Sequence, residues 1–230
     1  MLKHATHLKP SNASKAAILE TAYRLFGERS LEDVSIRELA KEANVNISSI
    51  HYYYGSKEEL YLAVVSNITE IMAQKAGEFT SAFNEAQKEG VASDAFYIDW
   101  LKHLLEMMAR AMLGRLRKNN YLHRIIIREQ MTPSRGFELL YQQGLEPVLS
   151  ILDDLIARIS QQEVNASEVR ARTHTLIGQI VIFSVQQLTI TQRMPFIHED
   201  EEANMEMIIH TILENVEYIL WGIVAKRDRI

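Results

Sequence analysis

Residues 35–60, SIRELAKEANVNISSIHYYYGSKEEL, carry two capping boxes with turn chemistry between them, and that leaves few folds open. Ser35 and Glu38 form the first S-x-x-E pattern, in which the hydroxyl takes a free backbone N–H and the carboxylate reaches back. Ile36, Leu39, Ala40 and Ala43 follow at helical spacing, with Arg37 and Lys41 off the apolar face. Asn44 breaks the pattern, and Asn is the residue after Gly best suited to a left-handed turn. Asn46 is positioned to cap a second short helix, Ile47 to about Tyr52, anchored by Val45 and Ile50. A second box, Ser56 to Glu59, starts a longer helix.

This spacing fits a helix-turn-helix, whose second helix lies in the DNA major groove. The exposed face of that helix is expected to carry Ser48, Ser49, His51 and Tyr52, groups able to reach phosphates and base edges. Lys57 falls at a helix N-terminus, where free N–H groups and the dipole already favour an anion. Periodicity alone also allows a polar, aromatic-rich connection between packed helices.

Leu39, Ala40, Ala43, Val45 and Ile50, then His51-Tyr52-Tyr53-Tyr54 and Ser56-Lys57-Glu58-Glu59-Leu60, closely resemble the DNA-binding domain of TetR-type repressors. The resemblance covers roughly residues 14–62. Two positions depart from it. Asn44 stands where the family usually has Gly in the turn. His51 stands where the family usually has a Tyr that contacts a phosphate, which puts that contact in doubt and suggests a different one. The expected phosphate contacts are Ser49, His51, Tyr53 and Lys57, with Arg37, Ser48 and Tyr52 nearest the bases.

The chain has 230 residues, enough for one large or two modest domains with a sizeable core. It has no Cys, which excludes disulfides, thiolate metal sites and cysteine nucleophiles. The start, MLKHATHLKPSNASK, lacks an apolar core of signal-peptide length, and no later apolar run looks long enough to span a bilayer, so a cytoplasmic protein with no membrane partner is expected. The net charge of −5 argues against indiscriminate nucleic-acid binding. No acid precedes Glu20, so Lys3, Lys9 and Lys15, with His4 and His7, form a basic arm: a phosphate or minor-groove contact, or a solvated tail.

Periodicity predicts an all-α chain. Ile18, Ala22, Leu25 and Phe26 line a first helix ending near Gly27, and its stripe closes over Val34, Leu39, Val45 and Ile50. Further helices are predicted at about 56–88, 94–116, 120–131, 134–143, 145–161, 167–192 and 201–225, with Pro133 and Pro147 marking breaks. The expected domains are 1–55, an arm with a three-helix helix-turn-helix unit, and 56–230, a larger helical effector-binding and dimerisation domain.

REQMTPSRGFELLYQQGLEP followed by LIGQIVIF resembles the C-terminal domain of the CecR-like branch of TetR-type regulators. That resemblance implies a homodimer built on the last two long helices, a pocket between central helices, and derepression by a small-molecule effector. The 167–192 segment is apolar nearly all round, which independently suggests burial on more than one side, in a dimer or as the core helix of a monomer. For the pocket, polar groups among aromatics and Met on inward faces are Trp100, His103, Met107, His123, Arg124, Arg128, Phe137, Gln179, Phe183 and Gln187. The same stripes also read as plain core. Arg128 is expected either to bind an anionic ligand or, preferably, to pair with Glu129 or Glu138.

Enzyme readings fare poorly. G-x-S-x-G, P-loop, G-x-G-x-x-G and H-E-x-x-H patterns are absent, and the E-x-x-H of di-iron bundles does not occur. No cofactor or metal is expected. Taken with the resemblance, which implies repression, the expected function is a ligand-responsive transcriptional repressor binding a palindromic operator as a homodimer, with a helical enzyme or metal-binding bundle as the alternative.

Overall fold

The computed structural model describes residues 12–90, 92–113, 121–194 and 201–229, and every regular element among them is helical. The elements are α1 (Asn12–Glu28), α2 (Ile36–Glu42), α3 (Ile47–Tyr54), α4 (Lys57–Glu89), α5 (Asp94–Leu113), α6 (Tyr121–Met131), α7 (Gly136–Leu140), α8 (Glu146–Ser160), α9 (Ser167–Val185), α10 (Gln187–Arg193) and α11 (Glu201–Arg227). A π-helical turn, Tyr141–Leu145, joins α7 to α8. The basic arm at Lys3, His4, His7 and Lys9 lies outside the described residues.

The chain divides into two compact units. One holds the described residues up to Ile71 together with 121–144; the other runs from Met72 to Leu113 and from Leu145 onward. These units do not follow the expected cut between residues 55 and 56. The first unit keeps the opening turns of α4 and takes in α6 and α7. Gly27 shows why α6 belongs with α1: a Cβ there would lie 2.4 Å from Cβ of Tyr121 and 2.6 Å from its Cα. Without a side chain at residue 27, the two backbones can approach closely. Ile18, Ala22, Leu25, Phe26, Leu39 and Ile50 are buried in this unit, as their spacing predicts, joined by Leu60, Val64, Ile125 and Leu140.

In the second unit, one apolar cluster is fed by Phe79 and Phe83 of α4, Leu101 and Leu105 of α5, Leu152 and Ile156 of α8, Leu176 and Ile180 of α9, and Ile212, Val216 and Leu220 of α11. Arg227 closes one end of it. Its guanidinium grips Asp94 through two hydrogen bonds, of 2.9 and 2.8 Å, and donates to the Ile159 carbonyl at 2.8 Å. By length and apolar content α11 reaches the range of a membrane span, against the sequence expectation. Its Ile208, Ile209, Ile212, Val216 and Leu220 are nevertheless buried in this cluster, as in a core helix.

Two predicted helix boundaries are corrected. No break occurs at Gly144–Pro147; the helix passes through on the π turn. Proline offers no N–H to the carbonyl four residues back, and a wider turn tolerates that loss. The predicted 167–192 helix is interrupted at Gln186 (φ −95°, ψ 33°). Just before it, Val181, Ile182 and Val185 are β-branched, and the Ser184 hydroxyl donates back to the Val181 carbonyl at 2.7 Å, both of which weaken helix. Within this chain α9 is buried along one face only: Val169, Thr173, Leu176 and Ile180 are covered, whereas Ile182 and Val185 are exposed.

Candidate nucleic-acid interface

Ser35 caps α2 by accepting the Glu38 N–H at 3.2 Å. The Glu38 carboxylate does not complete the box; it takes Arg29, just beyond α1, at 2.5 Å, and that bond holds it below the usual carboxylate range. Glu42 likewise goes to Arg24 at 2.9 Å. Both acids of α2 are thus spoken for by arginines, Arg24 in α1 and Arg29 just after it, while Arg37 and Lys41 are exposed and form no ion pair among the described residues. The helix then stops on a Schellman turn: Val45 N–H donates to Ala40 O at 2.9 Å and Asn44 N–H to Lys41 O at 3.2 Å. Asn44 sits at φ 52°, the left-handed conformation its side chain tolerates.

Asn46 holds the capping position of α3 but makes no side-chain cap bond. The helix runs to Tyr54 and stops at Gly55 (φ 77°). Its buried side carries Ile50 and also Ser49, only 7 % exposed. Ser49 was expected on the outer face as a phosphate contact. It follows Ser48 by one residue, about 100° around the helix, and so turns inward beside Ile50. Ser48, His51 and Tyr52 (72 % exposed) do form an outer ridge, together with Ile47, which the sequence reading passed over. An apolar residue at an outer i−4 position carries no polar signal, but it can contact a thymine methyl.

The His51 ring lies 2.7 Å through Nδ1 from the Gly55 carbonyl. A carbonyl can only accept, so Nδ1 carries the proton. Nε2 is then an acceptor in the neutral ring and becomes a donor only in the imidazolium. Tyr53 is half-buried against Tyr52, with ring centroids 5.1 Å apart; burial and that neighbour push its hydroxyl above the ordinary value, keeping it a donor. The Tyr54 hydroxyl donates to the Lys15 carbonyl at 3.1 Å and ties α3 to α1. Ser56 caps α4 through the Glu59 N–H at 3.0 Å. Lys57 spends one of its three ammonium protons on the Leu31 carbonyl at 2.7 Å, leaving two.

The ten expected effector-binding residues do not gather in one unit. His123, Arg124, Arg128 and Phe137 belong to the first, and Trp100, His103, Met107, Gln179 and Phe183 to the second. The side chain of Gln187 lies outside the described residues. Arg128 pairs with neither Glu129 nor Glu138. Its guanidinium turns back to the end of α1, donating to the carbonyls of Phe26 (2.5 Å), Arg29 (2.6 Å) and, at 3.4 Å, Gly27. His123 is buried, which depresses its basicity and keeps it neutral, whereas Arg124 is exposed. Phe137 stacks on Tyr141.

In the second unit Trp100 stands edge-on to Phe79 and Phe83, at 5.3 and 5.5 Å, while Met107 and Phe183 pack against the apolar cluster. His103 is exposed, on the rim of a surface groove of about 540 Å³ that Asp99, Lys102, Glu106 and His210 also line. Among the described residues no three His, Asp or Glu side chains converge as a metal site.

Residues 18–64 match the family of bacterial regulatory proteins of the tetR type, and residues 101–223 match the C-terminal domain of the HTH-type transcriptional dual regulator CecR. CecR of Shigella flexneri is 31 % identical over 216 residues, 91 % of this chain and 92 % of that one. The HTH-type transcriptional repressor AcnR of Corynebacterium efficiens is 33 % identical over 103 residues, 45 % of this chain and 53 % of its own. Among solved structures, HlyIIR, a hemolysin II transcriptional regulator, aligns with a TM-score of 0.58 at 23 % identity, covering 86 % of this chain and 96 % of that one. A transcriptional regulator from Aquifex aeolicus aligns at 0.51 and 17 % identity, covering 90 % and 99 %. These two share the fold. With its N-terminal and C-terminal modules both matched, the chain belongs to the TetR family of transcriptional regulators, in the group that carries a CecR-type C-terminal domain.

Proposed function

We propose that this regulator is a ligand-responsive repressor, located in the cytoplasm, that binds a palindromic operator as a homodimer and is released by a small molecule. The observation that carries the reading is the outer ridge of α3, where Ser48, His51 and Tyr52 are exposed with no acid on α3, as is Arg37 on α2. Arg37, Ser48 and Tyr52, with Ile47, are nearest the bases. His51, Tyr53 and the two uncommitted protons of Lys57 hold phosphates. Ser49 supports the helix from inside and takes no part.

Dimerisation rests on the second unit. Ile182 and Val185 of α9, Leu188 of α10, and Ile219 and Trp221 of α11 are all more than 40 % exposed, apolar side chains that a second copy would cover. A two-fold axis would cover it and present two readers to two half-sites. Trp100, His103, Met107, Gln179 and Phe183, which share the second unit, are the effector contacts. Repression is chosen over activation because AcnR is a repressor by name, although CecR is described as a dual regulator.

Selection of genomic fragments by the purified chain, followed by sequencing, tests the reading. A shared palindrome, whose promoter is more active in cells lacking the regulator, is the expected result. Retention without a common sequence, or no retention, would overturn it.

A further inference from the structure

Glu129 of α6 is a charged side chain only 2 % exposed, far from the ridge of α3 in role and without a place in the contacts proposed above. Three donors converge on its carboxylate: the Tyr61 hydroxyl of α4 at 2.5 Å, the Ser134 hydroxyl at 2.7 Å and the Ser134 backbone N–H at 3.0 Å. Burial and the hydrogen bond to Glu129 hold the Tyr61 phenol well above its ordinary value, so it is a donor at any physiological pH. The Tyr61 ring in turn stands edge-on to Phe26 of α1, with centroids 5.1 Å apart. Gly136, at the start of α7, closes the arrangement: a Cβ there would lie 3.1 Å from Cγ2 of Val65 and 3.3 Å from Cε1 of Tyr61.

The neighbouring residue grips the other helix. Arg128 donates to the carbonyls that end α1, and Glu129 accepts from α4, so consecutive residues of α6 fix both helices that flank the reader. We propose that Glu129 is a positioning residue for the DNA reader: through Tyr61 it sets where α4 leaves the helix-turn-helix, and operator affinity depends on it although it touches no DNA. The proposal rests on the operator-binding reading above. A buried carboxylate that loses a donor is left partly unpaired, which is costly, so the bond to Tyr61 has two states, made or broken, rather than a graded range.

The test uses the full chain and an operator fragment recovered by the genomic selection, with affinity read by fluorescence anisotropy. Tyr61→Phe removes only the hydroxyl and keeps the ring on Phe26; Glu129→Gln removes the charge and turns one of the two acceptor oxygens into an N–H donor. Each is expected to weaken binding by about two- to thirtyfold. The double variant is expected to be no weaker than the worse single one, because both act through the same bond, one by removing its donor and the other by weakening its acceptor. The salt dependence is expected to match the unmodified chain, since no phosphate contact is lost. Stoichiometric titration is expected to show a full active fraction. Unchanged affinity in both variants would overturn the proposal. So would a reduced active fraction whose remainder binds normally, the mark of a merely structural role, or losses that add in the double variant. If Glu129→Gln folds poorly, Tyr61→Phe decides alone. An unmodified chain that retains no fragment would overturn the operator reading and this one together.

Discussion

His51 is held by its neighbour Gly55 in a way that couples charge to contact. With Nδ1 donating to the carbonyl, Nε2 faces outward as a lone pair, which a phosphate oxygen repels. Adding a proton turns that same atom into a charged donor, the form in which His51 holds a phosphate. His51→Ala is expected to weaken operator binding by about tenfold or more. Anisotropy titrations check it, and unchanged affinity would remove His51 from the contacts. Lys57→Ala is expected to weaken all sites about equally and reduce the salt slope by about one. An unchanged slope would mean that the bond to Leu31 is the whole role of Lys57. The turn at Asn44 and the cap at Ser35 were legible in the sequence, because both depend on residues adjacent in the chain. The inward rotation of Ser49 was not. Two consecutive serines look alike in composition, and only packing against the core decides which one turns inward.

Among the elements, α6 departs most from what its sequence suggested. Its helical span was readable from periodicity, but its partners were not, because the contact with α1 depends on a glycine 94 positions before Tyr121. Gly27→Ala is expected to force the crossing of α1 and α6 apart and to lower the unfolding free energy by about 1–3 kcal/mol, the usual range for overpacking. Chemical denaturation measures this, and a neutral result would mean the crossing can slide. Arg128→Met keeps the stem of the side chain but leaves the carbonyls at the end of α1 without their donor. A loss of about 2 kcal/mol is expected, in the range of hydrogen bonds to a charged group. Two carboxylates, Glu129 and Glu138, lie near Arg128 in the chain and are its obvious partners by sequence. The structure gives it backbone carbonyls instead, an acceptor class that no side-chain pattern announces.

For the molecule as a whole, the titration of its paired acids sets a lower pH limit. Glu38 through Arg29, Asp94 through Arg227, Glu206 through Arg110 and Glu217 through Lys102 are all held below their ordinary values by hydrogen bonds to cations. A carboxylate with a depressed folded-state value stabilises the fold above its unfolded-state value and loses that contribution as pH falls through the folded one. Melting temperature is thus expected to hold near neutrality and to fall on acidification below about pH 4. Asp94→Asn is expected to shrink the drop, and an equal drop in that variant would show that this pair adds nothing. The two-module organisation was visible in the sequence, but the physical seam lies elsewhere: α6 and α7 lie within the span of the C-terminal module yet pack with the N-terminal reader. Anyone building hybrid regulators by exchanging parts at the module boundary would therefore sever a physical unit. A reader transplanted as residues 12–64 would arrive with the carbonyls at the end of α1 unbound, Tyr61 without its acceptor and Gly27 without Tyr121 packed on it. A hybrid that keeps its native specificity and solubility needs 121–144 from the same parent, so in this protein the exchangeable part consists of two separate stretches of chain.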